Sequence, residues 1–365
     1  MTRRIGSASS KAVAPPRAPS AGQRKAVLDV TVVVQQGGYP SAAIAPIEIF
    51  HSAGVLWHSL RGETEQPRFR VRTASIDGSG VKTLGSLSLT PEFAIKDIKH
   101  TDVIVVAASG QDVMDGIAQN THLLPWLRNW HSRGAYIAGI CTGVGFLAQA
   151  GLLDGRRGTT HWAIVDAFRQ RFPKVRWEPE HFVTEDGRVL CSGGVYASID
   201  LSLYLVDKFC GREVALQCAK SLLVGMPRSA QSGYSVLPLS RPHSDERITQ
   251  IEHYLQKRLV GKVSIDALAT RIGMSPRTFL RRFKAATGHL PGAYMQMLRV
   301  SSAKEMLERG GVPVQVICSK VGYGDVAFFR TLFKRHTGMT PAEYRSRFAG
   351  MNPDGGALAA GRLVA

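Results

Sequence analysis

The 365-residue sequence predicts two domains of different fold class: an α/β domain with a mostly parallel sheet, followed by an all-α domain. Two observations lead to this division. In residues 26–225, short runs rich in β-branched residues alternate with longer segments of helical period, which is typical of βαβ units. In residues 245–348, one helical unit occurs twice, and a repeated unit is a stronger signal than a single one.

The first domain is predicted to alternate strands and helices. Apolar runs such as VLDVTVVVQ indicate buried strands at 27–35, 69–74, 102–108, 135–140 and 189–192. Helical segments are predicted at 41–60, 122–133, 142–150, 162–172 and 197–210. A tract rich in Pro, Ser and Gly at 226–244 is predicted to be the interdomain linker. Residues 1–25 are predicted to form a disordered basic tail, and residues 349–365 a flexible tail.

The stretch Ile265–Lys284 predicts two helices that cross at a tight turn. Ala269 allows the helices to approach closely, and Gly273 suits the turn. Ser275 can cap the second helix, and Pro276 fits its first position.

The second of these helices has two distinct faces. Phe279 and Phe283 lie four residues apart, so they share a face that can be buried. Arg277, Arg281 and Lys284 share another face, at i, i+4 and i+7. A buried aromatic face opposite a basic face is what a recognition helix in a DNA major groove requires.

The pattern recurs about 50 residues later. The matched pairs are Phe279/Phe329, Phe283/Phe333, Lys284/Lys334, Thr287/Thr337, Gly288/Gly338, Pro291/Pro341 and Tyr294/Tyr344. Before the turn the offset is 49, as in Gly273/Gly322. The second turn, GYGD, therefore contains one additional residue.

The net charge of +18 is unevenly distributed. Residues 1–25 have a net charge of +6, residues 26–240 of +1 and residues 241–350 of +11. This excess is an electrostatic footprint suited to phosphate. A membrane surface could also attract it, but the sequence contains no apolar segment of the length that a span requires.

The cysteines do not form a metal-binding or disulfide pattern. The five cysteines show no CxxC or Cys/His spacing, so neither a zinc site nor a disulfide framework is expected. Residues 1–25 have no apolar core of an export signal, and a cytoplasmic location is predicted. No cofactor and no metal is expected.

The second domain resembles the AraC/XylS family of bacterial transcription regulators, through SPRTFLRRFKAATG and GYGDVAFFRTLFKRHTGMTPAEYR. The resemblance covers residues 245–348 and implies two helix-turn-helix motifs on a connecting helix at 291–309, with recognition helices in successive major grooves of double-stranded DNA. It also implies a set of DNA-facing residues: Ser275, Arg277, Thr278, Arg281, Arg282, Lys284, Val326, Ala327, Arg330, Thr331 and Lys334. The second set is poorer in base-reading side chains, which favours phosphate contact and shape readout.

Cys141 stands between a predicted strand and a predicted helix. The flanking glycines in GICTG permit a sharp turn, as in a nucleophile elbow. The helix N-terminus is expected to lower the pKa of the thiol.

The longer string GICTGVGFLAQAGLLDGRRGTTHW resembles the class I glutamine-amidotransferase-like, PfpI-type domain of GlxA-like regulators. PIEIF and GGVYASIDLSLYLV extend the resemblance, which implies a flavodoxin-like parallel-sheet sandwich. It places Glu48, Gly110, Cys141 and His161 in a ligand pocket. Enzymes of this fold have Gly-Gly where this sequence has Ala-Ser-Gly at 108–110, which disfavours acyl transfer.

These observations predict a regulator of transcription rather than an enzyme. The expected partners are double-stranded DNA, a small-molecule effector related to an amino acid or an amine, a second copy of the chain and, for an activator, RNA polymerase. Three alternatives remain open for Cys141: a cysteine-dependent amidase or hydrolase, a redox sensor, or a small residue packed at the end of a strand.

Overall fold

The computed structural model describes residues 27–110, 113–226, 228, 230–235, 243–261 and 263–349. The chain divides into two compact units, Met1–Ser229 and Ala230–Ala365. The predicted tail at 1–25, most of the tail at 349–365 and the linker residues 236–242 lie outside the described residues. Within the described ranges, no helix combines the length and the apolar character needed to cross a membrane.

The first unit is built on a seven-stranded sheet in the order β10-β11-β7-β6-β1-β2-β5. The strands are β1 (Leu28–Val33), β2 (Phe69–Ser75), β3 (Val81–Lys82), β4 (Ser88–Leu89), β5 (Phe93–Ala94), β6 (Val103–Val106), β7 (Tyr136–Ile140), β8 (Arg157–Gly158), β9 (Arg176–Trp177), β10 (Val183–Asp186) and β11 (Val189–Ser192). Neighbouring strands of this sheet are parallel, except that β10 pairs with β11 in the antiparallel sense. The mostly parallel sheet predicted from the sequence is confirmed.

Helices cover both faces of this sheet. They are α1 (Ser41–Ser52), α2 (Leu56–Ser59), α3 (Val113–Gln119), α4 (Leu123–Ser132), α5 (Val144–Gln149), α6 (Val165–Arg171), α7 (Ala197–Cys210) and α8 (Arg212–Ser221). Alternate strand residues point to opposite faces: Val32 and Val105 pack with α1, α7 and α8, whereas Val33 and Ile104 pack with α3 to α6. The predicted flavodoxin-like parallel-sheet sandwich is confirmed.

Three local features differ from the prediction. The helix predicted at 41–60 is broken at Gly54, which has φ +76° and whose carbonyl accepts a hydrogen bond from the Gln66 N–H at 2.7 Å. The helix predicted at 142–150 starts with a 3₁₀ turn, Cys141–Gly143. Helices α3 and α8 and the sheet strands β5 and β10 were not predicted; β5 has only two residues, and β10 includes Glu185 and Asp186.

The second unit is all-helical. It comprises α9 (Glu246–Gln256), α10 (Ile265–Arg271), α11 (Pro276–Thr287), α12 (Pro291–Glu308), α13 (Val314–Lys320), α14 (Val326–Thr337) and α15 (Pro341–Phe348). The connecting helix predicted at 291–309 is confirmed as α12. This helix serves both repeats, because the Tyr294 hydroxyl on it bonds to Glu252 of α9 at 3.2 Å, while Glu308 at its end bonds to the Tyr344 hydroxyl at 2.5 Å.

The two repeats bury the same aromatic core. Phe283 packs edge-on against Tyr294 at 5.3 Å, and Phe333 packs edge-on against Tyr344 at 5.5 Å. All four side chains are almost fully buried. Burying such rings removes a large apolar area from water, so each repeat has its own stabilising centre.

Candidate functional site

The first recognition helix, α11, begins as the sequence predicts. The Ser275 hydroxyl accepts the N–H of Thr278 at 3.3 Å, and Pro276 occupies the first turn. Gly273 has φ +62° in the turn before it, a conformation that favours glycine. This cap satisfies one of the N–H groups that the start of a helix leaves without a partner.

The second recognition helix, α14, uses a different cap. The Asp325 carboxylate accepts the N–H groups of Ala327 and Phe328 at 2.8 and 3.2 Å. Gly322 in the preceding turn has φ +84°. The two helix starts are thus equivalent in geometry but not in sequence.

The outward faces of the two helices differ in charge. Arg277, Arg281 and Lys284 are exposed on α11, and no described residue bonds to either arginine. On α14 the exposed predicted residues are Ala327, Arg330, Thr331 and Lys334. Thr278 and Val326 are half-buried at the helix starts. At two equivalent positions, α11 therefore presents the guanidinium groups of Arg277 and Arg281, whereas α14 presents the methyl group of Ala327 and the hydroxyl of Thr331.

Arg282 does not lie with the exposed basic residues. Its guanidinium donates two hydrogen bonds to the Asp245 carboxylate, both at 2.8 Å. The corresponding position on α14 is Leu332, which is 2% exposed. Arg282 therefore joins the start of α9 to α11, and the DNA-facing role predicted for it does not follow from this geometry.

Phe328 is an exposed aromatic residue that the sequence reasoning missed. It is 52% exposed on α14, and its ring lies 5.9 Å from that of Tyr323. Consecutive residues of a helix point in different directions, and the buried face of α14 includes only one of the two adjacent phenylalanines, Phe328 and Phe329. The pair in the sequence therefore indicates that one phenylalanine is exposed. An exposed apolar side chain beside the basic face can contact thymine methyl groups.

In the first unit, Cys141 occupies the sharp turn that the sequence predicts. It follows β7, has φ +53° and is buried. Its carbonyl accepts the Thr160 hydroxyl at 2.9 Å, while the Thr142 hydroxyl donates to the Ser109 carbonyl at 3.0 Å. The segment after β7 is thereby held against the segment after β6.

The expectation of a lowered Cys141 pKa is wrong. Burial raises the pKa of this thiol to about 11, although the backbone N–H groups of Thr142 and His161 oppose the shift. A buried thiolate loses its hydration, and here that loss is the larger effect. Cys141 is therefore a protonated thiol near neutral pH.

His161 is held beside Cys141 by its backbone rather than by its ring. Its Nδ1 accepts the Ala163 N–H at 3.1 Å, and burial lowers the pKa of the imidazole. The ring lies 5.1 Å from the Trp162 ring. It also lies against Gly194, where a Cβ would be 3.3 Å from the His161 Cδ2 atom. Gly194 was not among the predicted pocket residues.

The two remaining predicted pocket residues have different surroundings. Gly110 lies beside Gly37, in the loops that follow β6 and β1. Glu48 is exposed on α1, whose buried face carries Ala42 and Phe50 instead, and no described contact joins it to Cys141. The structure therefore brings Gly110, Cys141 and His161 to the carboxyl edge of the sheet, and Glu48 is not among them.

Ser109 adds a polar group to this edge. Its side chain is buried, and its hydroxyl has no hydrogen-bond partner among the described residues. A buried hydroxyl that lacks a partner is costly unless a ligand or water supplies one.

Two groups of side chains elsewhere in this unit have the composition of a metal site. They are Asp29–His100–Asp102 and Glu178–Glu180–His181. Both lie in ion-pair networks: Arg72 is 3.4 Å from Asp29, and Arg157 forms a bidentate pair with Glu178. The arginines already neutralise these carboxylates, so a role in charge pairing explains both groups.

Comparison with known proteins assigns both units. Residues 42–208 match the DJ-1/PfpI family, and residues 268–347 match a helix-turn-helix domain family. The HTH-type transcriptional regulator CdhR of Pseudomonas aeruginosa is 26% identical over 309 residues, which cover 84% of this chain and 87% of that regulator. The HTH-type transcriptional regulator GlxA of Rhizobium meliloti is 26% identical over 289 residues, 77% of this chain and 86% of that protein.

An enzyme shares a shorter region. The isonitrile hydratase of Pseudomonas putida is 32% identical over 130 residues, which cover 35% of this chain and 54% of the enzyme. Both regulators, in contrast, match across most of this chain. The chain therefore joins a DJ-1/PfpI domain to an AraC-type helix-turn-helix domain, and it is similar over most of its length to the regulators CdhR and GlxA.

Proposed function

We propose that this protein is a sequence-specific regulator of transcription that binds double-stranded DNA through α11 and α14. The repeated scaffold carries the proposal, because each repeat presents the exposed face of a capped helix in a unit with a net charge of +11 over residues 241–350. Such a charge attracts phosphate, and exposed side chains at the start of a recognition helix reach base edges.

The effector is a small molecule that binds at the carboxyl edge of the sheet. Ligands of open α/β sheets bind there, at the point where the strand order reverses. That point lies between β1 and β6, next to β7 and Cys141. The Ser109 hydroxyl is available for a hydrogen bond, and the Trp162 ring offers an aromatic face to an ammonium group. These groups suit an effector related to an amino acid or an amine.

The same geometry supports sensing over turnover. A cysteine nucleophile acts as a thiolate, whereas the pKa of Cys141 is raised to about 11 by burial. The Nδ1 atom of His161 is engaged with the Ala163 N–H rather than with the thiol. Both observations disfavour the hydrolase and the redox sensor as alternatives.

The proposed effector site is connected to the end of the first unit through α7. Gly194, beside His161, precedes Tyr196, whose carbonyl accepts a hydrogen bond from Arg228 at 3.4 Å. Arg228 also pairs with the buried Asp200 on α7 at 2.6 Å, just before the chain enters the second unit. An effector that binds one conformation of this segment more tightly than another would shift the population toward that conformation. We expect a homodimer and, for an activator, contact with RNA polymerase.

DNA binding is tested with the full-length chain by selection from a random duplex library, followed by affinity measurements over a range of salt concentrations. We expect an enriched bipartite sequence and an affinity that falls steeply with salt. Arg277→Ala should weaken specific binding, whereas Arg309→Ala, which removes an exposed charge at the end of α12, serves as the matched control. Failure to enrich any sequence, or equal losses in both variants, would contradict the proposal.

Effector binding is tested by a thermal-shift screen against amino acids, betaines and related amines. A ligand that binds only the folded state raises the melting temperature by mass action. Ser109→Ala should reduce that shift, and Ser132→Ala, at an exposed position on α4, should not. An equal shift in both variants would place the effector elsewhere.

A further inference from the structure

Arg299 lies on α12, the helix that connects the two motifs. Its Nε donates to the Leu259 carbonyl at 2.8 Å, and its Nη2 donates to the Gly261 carbonyl at 2.6 Å. Both carbonyls belong to the segment that enters the first helix-turn-helix motif, ahead of α10. The guanidinium thus fixes the entrance of the first motif to the connecting helix.

The same guanidinium contacts the second motif. It lies 5.1 Å from the ring centroid of Tyr323, in the turn between α13 and α14. Arginine is suited to this double role because it donates in several directions while its planar face stacks on an aromatic ring. Because its Nε and Nη2 already donate to carbonyl groups, Arg299 is a poorer candidate for phosphate contact than the exposed Arg277 and Arg281.

The two motifs also touch through their backbones at this point. A Cβ at Gly322 would lie 2.7 Å from the Leu259 carbonyl oxygen and 3.2 Å from the Arg299 Nη2 atom. Only glycine allows this approach, and its φ of +84° gives a second reason for glycine here. The contact is therefore close and leaves little room for adjustment.

The additional residue of the second turn lies at the same place. The first turn runs from Ile272 to Ser275, whereas the second runs from Val321 through Tyr323 to Asp325. The longer turn places Tyr323 against Arg299. The one difference in length between the repeats thus coincides with the contact between them.

We propose that Arg299 is a positioning residue that sets the spacing and rotation between the two recognition helices, and hence the spacing of the two half-sites in the operator. The proposal rests on the proposed DNA-binding function. Moving one half-site by a single base pair rotates it by about 34° and shifts it by about 3.4 Å. A rigid contact between the motifs makes such a change costly, whereas a loosened contact tolerates it.

The test uses the full-length chain and the operator selected by the wild-type protein. Operators with one or two base pairs added or removed between the half-sites are titrated with wild type, Arg299→Met and Arg299→Lys. Arg309→Met on the same helix is the control for charge. Thermal melts show whether each variant is folded. If the methionine variant does not fold, the lysine variant is used for the test, because it keeps the charge but cannot bridge both carbonyls.

We expect wild type and Arg309→Met to lose at least about tenfold in affinity when the spacing changes by one base pair. Arg299→Met should bind the native operator more weakly than wild type does, but its affinity should fall by no more than about threefold when the spacing is altered. The loss for Arg299→Lys should lie between those of wild type and Arg299→Met. An unchanged spacing profile in the folded Arg299 variants would overturn the positioning role while leaving DNA binding intact. Absence of any selected operator for wild type would instead remove the function on which the proposal rests.

Discussion

Arg281 and Arg282 are adjacent in sequence, but their side chains have different surroundings. Arg281 is exposed on the outer face of α11. Arg281→Ala should therefore weaken specific DNA binding by about 1–3 kcal/mol, or about 5- to 150-fold, if its guanidinium makes a bidentate base contact. The thermal stability of the Arg281→Ala variant should stay close to that of wild type, because substitutions at exposed positions change stability by about 0.5 kcal/mol or less.

Arg282→Ala should have the reverse effect. The side chains of Arg282 and Asp245 are 39% and 18% exposed. The contribution of this ion pair to stability should therefore be intermediate between that of an exposed pair and that of a buried pair. Exposed pairs contribute about 0–1 kcal/mol, and breaking a buried pair costs about 3–5 kcal/mol. Asp245 keeps one partner, since its carboxylate also accepts the Ile248 N–H at 3.3 Å. We therefore expect a loss of about 1–2 kcal/mol in the free energy of unfolding of the second unit.

The two variants are compared by fluorescence anisotropy on the selected operator at one fixed salt concentration, and by thermal melts. A loss of 1 kcal/mol lowers the melting temperature of a domain of this size by about 4–8 °C, which is readily measured. An Arg282→Ala variant with the melting temperature of wild type and a reduced specific affinity would contradict these expectations. So would an Arg281→Ala variant that binds the operator with the affinity of wild type.

Three further predictions concern single positions. Because the pKa of Cys141 is raised to about 11, iodoacetamide should modify it about 100-fold more slowly at pH 8 in the native protein than in urea, with the rate rising as the pH increases; equal rates by peptide mass spectrometry would refute the burial argument. Gly322→Ala should destabilise the second unit by about 2–4 kcal/mol in denaturant titrations, whereas Gly324→Ala, where a Cβ meets open space, is the control and should change little. Asp200→Asn removes the charge opposite Arg228 and should lower the free energy of unfolding of the first unit by about 3 kcal/mol, and an unchanged denaturation midpoint would show that the pair contributes little.

The sequence predicted those features that depend on local period. Five of the seven strands of the sheet, the repeat and the caps of α11 follow from alternation, spacing and residue type, as Ser275 and Phe279 show. The features it did not predict depend on distant contacts. Arg282 meets a carboxylate 37 residues away, and the burial that raises the pKa of Cys141 comes from segments that include Ser109 and Thr160.

Helix phase explains the misplacement of Glu48. A resemblance to a short motif can place a residue on the right helix without fixing the face on which it lies. On α1 the buried face carries Ala42, Ile49 and Phe50, so an acidic side chain at position 48 turns outward. The contact between Gly194 and His161 joins segments that are 33 residues apart, so it cannot be predicted from helical or strand periodicity.

The two repeats have diverged mainly on the surface that faces outward. Their buried aromatic positions carry the same residues, such as Phe283 and Phe333, because packing at native density tolerates few changes. Their exposed positions differ: Arg281 corresponds to Thr331, and Thr278 to the exposed Phe328. Guanidinium groups favour guanine, whereas apolar groups favour the thymine methyl group. Two equivalent scaffolds with unequal faces should therefore select an operator whose half-sites have the same orientation but different base sequences.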